Sequence, residues 1–186
     1  MKKLTTLLLL IAFLARPVFV HAQNGELDPN FGNNGFLYTN FEIDIAEYFL
    51  DMIVLPNDQF VMVGYINHAN SHDLLIARFN SDGTIDGSFG EGGYTTLDIQ
   101  DDSNDEANGV AVLDDGKLLV VGNTFIDGSG KGFILRLNAD GSLDTSFGEG
   151  GNGYTLLTAG TEFYTGVEDI YVVSNNEILV AGTVSN

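Results

Sequence analysis

Three features of the sequence predict an all-β chain of tandem antiparallel units. A phrase recurs: FNSDGTIDGSFGEGG at 79–93 returns as LNADGSLDTSFGEGG at 137–151, and a looser GELDPNFGNNG stands at 25–35. Between the copies lie short runs rich in Val, Ile and Leu, broken by Asp-Gly turns, the local signature of a β-hairpin. No window holds a sustained helical period of apolar residues.

In chain order, residues 1–22 read as a secretory signal peptide. MKK is a basic n-region, and the apolar run that follows is too short to span a bilayer. Val20 and Ala22 stand where a signal peptidase reads small residues. The expectation is an exported protein beginning near Gln23, in the extracellular space, at the cell surface or in the periplasm, without membrane insertion after cleavage. Lys2, Lys3 and Arg16 leave with the signal, so four basic residues then face 26 acidic ones. A formal charge of −22 repels nucleic acid and anionic lipid. With no Cys, no disulfide staples the fold in an oxidising compartment, and packing must hold it. Apolar residues make up 44% of the chain, enough for a core.

Two full repeat units, 23–82 and 83–140, are followed by a third, 141–186, that is truncated before its fourth strand. At an offset of 58, Gly25, Gly83 and Gly141 align, as do Asp28, Asp86 and Asp144, then Phe31, Phe89 and Phe147. Gly64 and Gly122 keep that spacing, and Gly182 follows 60 positions later. The two extra residues fall in GGNGYT (150–155), a glycine-rich turn that tolerates insertion.

Each unit reads as four strands, in the second YTTLDI (94–99), GVAVL (109–113), KLLVVGN (117–123) and GFILRLN (132–138). Asp114-Asp115-Gly116 joins the middle pair, where PND (56–58) and SNN (174–176) stand in the other units. LLVV (118–121), FVMV (60–63) and EILVAG (177–182) are apolar on both sides, so each sheet must be covered on both faces. Antiparallel four-stranded sheets covered by copies of themselves are blades of a β-propeller, with a stacked open array as the alternative. The repeated phrase is expected to cross between blades, with Ile85 and Leu143 plugging into the core and Phe89 and Phe147 anchoring the path.

The set DGSLDTSFGEGG (140–151), GVAVLDDGKLLVVGN (109–123) and FILRLNADG (133–141) resembles the delta-60 repeat family of exported bacterial proteins. The resemblance implies a propeller-like fold and transfers no catalytic residues. Closed propellers need roughly four to eight blades. Fewer than three units stand here, so the ring is incomplete: a fragment of a longer protein is expected, with further repeats in cis or in trans.

Candidate chemistry is sparse. GEGGNG (148–153) matches G-x-G-x-x-G but lacks the preceding strand and following helix of a dinucleotide site. GSGKG (128–132) lacks the first Gly and the Ser or Thr of a phosphate loop and suits a hairpin tip. Asp82, Asp86 and Glu91 recur as Asp140, Asp144 and Glu149, beside Asn80 and Asn138. They are candidate calcium ligands, but Ile85 and Leu143 occupy the position where a calcium loop needs Gly. Capping of their own turns is the competing role. DIQDDSNDE (98–106) reads as a solvated loop. His68, His72 and Asp73 share a loop that could hold a transition metal if it curled. Arg78 and Arg136, at equivalent strand positions, are expected to pair with Asp86 and Asp144 at a blade boundary. No nucleophile motif is present. The expectation is therefore a non-catalytic module without a cofactor, presenting loops 65–73 and 123–132 to a protein or glycan. A propeller-type hydrolase or lyase acting on an extracellular polymer is the enzymatic alternative, and a structural spacer the third.

Overall fold

The computed structural model describes residues 25–42, 45–100, 103–126, 129–157, 164–173 and 177–185. The signal peptide expected at 1–22 and the turn expected at 174–176 lie outside these residues.

Among the described residues ten strands form: β1 (Ala46–Val54), β2 (Phe60–Asn67), β3 (His72–Phe79), β4 (Tyr94–Leu97), β5 (Asn104–Val112), β6 (Leu118–Ile126), β7 (Ser129–Leu137), β8 (Tyr154–Leu157), β9 (Tyr164–Val173) and β10 (Glu177–Ser185). One 3-10 turn, Glu149–Gly151, interrupts them. Strands β1, β2 and β3 pair antiparallel in sequence, and β4 returns to pair antiparallel with β3. The same pattern joins β5, β6, β7 and β8, while β9 and β10 form a separate two-stranded sheet. A single parallel bridge, His72 to Asn104, links the first two blades into one eight-stranded sheet. The sheets are open and β-propeller-like; they do not close into a barrel.

This pairing corrects the expected role of the repeated phrase. It does not cross between blades. It runs within a blade, from the third strand out to the fourth, so Tyr94–Leu97 completes the blade begun by β1 rather than opening the next. The phrase pins itself to its own strand: Asp86 N–H donates to the Arg78 carbonyl (3.0 Å), and Asp144 N–H to that of Arg136 (2.9 Å). Ile85 is 40% exposed and does not plug into the core. Phe89 is wholly buried there, and Leu143 packs against the same cluster.

The crossing between blades leaves β4 through residues 98–100 and reaches β5 at Ser103, inside the segment expected to be a solvated loop. Asp105 is buried, accepting the Ile99 N–H at 2.6 Å and the Ser103 hydroxyl at 2.8 Å. One period earlier Glu47 accepts the Phe41 N–H, also from six residues back. In the first two blades a carboxylate at the start of the first strand thus ties down the segment that leads into it, satisfying a main-chain donor.

The cores lie between blades. One joins Val61, Val63, Leu74 and Ile76 of the first blade to Val110, Val120, Phe133 and Leu135 of the second. Another joins Ala111, Leu119, Val121 and Ile134 to Val167 and Ile170 of the third sheet. Phe31, Leu37 and Phe41 cover Phe60 and Phe79 on the outer face of the first blade. Strands apolar on both sides follow directly from this double coverage.

Gly64, Gly122 and Gly182 face a bulge in each first strand. The register slips between Phe49 and Asp51 and between Ala107 and Gly109, where Gly64 and Gly122 sit opposite. In the third sheet the slip falls at Gly182 itself. A Cβ at Gly122 would lie 1.9 Å from the Glu106 carbonyl oxygen, so the bulged backbone fits only over hydrogen.

Candidate functional site

The connectors 80–93 and 138–153 hold the acidic candidates. Asp82 Oδ1 accepts the Thr84 N–H (2.9 Å) and hydroxyl (2.6 Å), and Asp140 does the same with Ser142. These bonds lower both pKa values. Asp86 accepts Ser88 through Oδ1, then Arg78 Nε (2.8 Å) and Gln59 Nε2 (2.7 Å) through Oδ2. The Ser88 hydroxyl leads the causes that hold its pKa at about 2. Asp144 is arranged alike, with Lys117 Nζ (2.5 Å) where Gln59 stands and Arg136 Nε at 2.7 Å. Lys117, followed by Ser146, depresses its pKa further. Each guanidinium also lies over a ring, Arg78 over Phe89 at 4.8 Å and Arg136 over Phe147 at 4.7 Å.

These carboxylates face their own turns and do not converge. Among the described residues no group of three or more His, Asp or Glu is placed to hold a metal ion. Glu91 is exposed, beside Glu42 and Asp140 on a cleft of about 510 Å3. The side chain of Glu149 lies outside the described residues. Of the histidine loop, His68 Nε2 stands 3.3 Å from Asp73 Oδ2, while His72 turns away toward Glu106. Burial raises the Asp73 pKa against the opposing pull of His68.

Loops 65–73 and 123–132 are shorter than expected and join second strands to third. Strands β6 and β7 pair out to Ile126 and Ser129, and β2 and β3 to Asn67 and His72. What stands at the first hairpin is a ring stack. Tyr48 and Tyr65 are register partners on β1 and β2, with centroids 4.8 Å apart and planes at 19°. Tyr65 stacks in turn on His72 of β3 at 4.7 Å and 15°. The column crosses three strands and ends at the next blade, where Glu106 Oε1 is 3.7 Å from His72 Nδ1 and Asn104 Oδ1 accepts the His72 N–H at 3.1 Å. Tyr48, at the open end, is 45% exposed. Burial, then Glu106 and Tyr48, raises the Tyr65 pKa.

The second blade has no such column. Its equivalent positions are Glu106, Asn123 and Gly130, and Asn123 accepts the Val167 N–H of the third sheet at 2.7 Å. The stack is thus particular to the first unit. Sequence reasoning missed it because the three residues meet only through strand register, and the one available signal was their departure from the repeat.

A protein-family model described as a domain of unknown function (DUF5122), beta-propeller, matches residues 56–89 and 113–147. Each match begins at or near a β-turn, spans the second and third strands, and ends in the connector at Phe89 or Phe147. No curated protein matches the chain. Fold and family match agree on a protein built of β-propeller-like repeats.

Proposed function

We propose that this chain is an exported, non-catalytic binding module of the delta-60 kind, whose ligand contact is the Tyr48–Tyr65–His72 column and whose ligand is a carbohydrate. The observation that carries the reading is the column itself: three parallel rings on a rigid sheet end, open at Tyr48 and bordered by Glu106 and Asn104. A sugar ring has an apolar C–H face that lies flat on an aromatic ring, and hydroxyls at its rim that donate to carboxylate and amide oxygens. Aromatic surface with a few placed polar groups is the ordinary make-up of such sites. The non-catalytic part rests on the repeated carboxylates, which are engaged with Arg, Lys, Ser and Thr of their own turns.

The test is calorimetric titration of the chain with soluble polysaccharides of differing charge. A neutral or basic polysaccharide is expected to bind, and Tyr48→Ala to weaken it about tenfold, or 1.4 kcal/mol, without moving the melting temperature. Binding that survives Tyr48→Ala and His72→Ala unchanged, or no binding to any polysaccharide, overturns the reading.

A further inference from the structure

The rings of the first hairpin are stacked on one another rather than laid side by side, and that limits how much ligand they can touch. Tyr65 lies between Tyr48, at 4.8 Å and 19°, and His72, at 4.7 Å and 15°. Rings at that spacing are in van der Waals contact, so both faces of Tyr65 are covered. The far side of His72 is met by the next blade, where Asn104 and Glu106 stand against it. One broad face remains, the side of Tyr48 turned away from Tyr65, and Tyr48 is 45% exposed.

That face is open because of where β1 lies in the blade. Among the described residues β1 pairs with β2 alone. A free edge belongs to first strands in general: β5, between two blades, pairs antiparallel with β6 and meets β3 only at a single bridge. Leu50, the next residue but one on β1, is 50% exposed and extends the apolar surface along the strand. Polar groups gather at the phenol edge of the column. There burial, then Glu106 and then Tyr48 raise the Tyr65 pKa, which places both neighbours close to its hydroxyl.

Resting on the carbohydrate reading, we propose that the column is a one-residue site, in which a single sugar ring stacks on the open face of Tyr48. Tyr65 and His72 are positioning residues, which fix the plane of that face without stacking on the sugar themselves. A polysaccharide is then held by one residue at a time, and lengthening it adds no stacked ring. Rings laid side by side would act differently, because each added sugar would find a further face.

The probes are the di- and hexasaccharides of β-1,4-linked glucose and of β-1,4-linked N-acetylglucosamine, titrated calorimetrically into the whole chain. In at least one series both lengths are expected to bind, with dissociation constants within about threefold of each other, the statistical gain of a longer chain. Tyr48→Ala should weaken both lengths by the same factor, about tenfold. His72→Ala should also weaken both, and His72→Phe, which keeps a ring behind Tyr65, should restore them. A hexasaccharide that gains more than that statistical factor over its disaccharide overturns the proposal, as does a loss at His72→Ala confined to the hexasaccharide. If neither series binds, the one-residue site falls, while the polysaccharide titration separately decides the carbohydrate reading.

Discussion

The Gly90 N–H donates to the carbonyl of Asp140 at 2.7 Å, joining two copies of one phrase through residues 50 apart in sequence. Gly141→Ala should show what this joint contributes. Its Cβ would sit 2.7 Å from the Gly90 nitrogen and 2.9 Å from the Phe89 ring, at a φ that L residues avoid. A loss of about 2 kcal/mol or more is expected by urea titration. Gly87→Ala, whose Cβ meets nothing within 4 Å, should be neutral.

Gly122→Ala tests the bulge. The added carbon would overlap the Glu106 carbonyl and come 2.8 Å from the Phe133 ring, with backbone on one side and core on the other. Neither can yield cheaply. Destabilisation on the order of 3 kcal/mol is expected, with retained β-structure by circular dichroism at low temperature.

The two arginines should not be equivalent. Arg78 holds Asp86 within its own connector and Ala139 in the next. Arg136 holds Asp144, which keeps Lys117 when the guanidinium is gone. Arg78→Ala is expected to cost about 1–2 kcal/mol, and Arg136→Ala less, in thermal or chemical unfolding. Arg78→Lys should recover little, because one ammonium cannot serve both partners from the same position.

Acid should weaken the fold through the same carboxylates. Asp86 falls from 3.8 to about 2 on folding, so its contribution is complete above pH 4 and is lost as pH drops toward 2. Asp144 acts in the same sense. Asp105 opposes them: burial raises its pKa, so its ionisation works against the fold as pH rises through the raised value. Unfolding followed by circular dichroism from pH 5 to 2 should show stability falling with pH, with a shallower slope in Asp86→Asn.

Much of the architecture was legible in the sequence. The Asp-Gly turns, the doubly apolar strands and the 58-residue spacing predict four-stranded antiparallel blades, and the structure has them. Partner choice was not legible for YTTL. Four residues after a long connector suit the edge of either neighbouring sheet, and only register assigns Tyr94–Leu97 to β3. The same limit hid Asp105, which looks like one more acid in DIQDDSNDE until the crossing folds over it. The ring column was invisible for a related reason: motif reasoning follows what repeats, and Tyr48, Tyr65 and His72 are what does not.

The joint at Gly90 and Asp140 asks little of the unit that arrives: carbonyls, which every residue has, and a glycine. The inward-facing apolar residues of that unit, such as Val120, Phe133 and Leu135, must still fill the core between blades, while these bonds leave its outward-facing side chains unconstrained. Copies can therefore be gained or lost by duplication of the underlying gene segment, each new one docking correctly from its first generation, while a single unit such as the first is left at liberty to acquire a surface of its own.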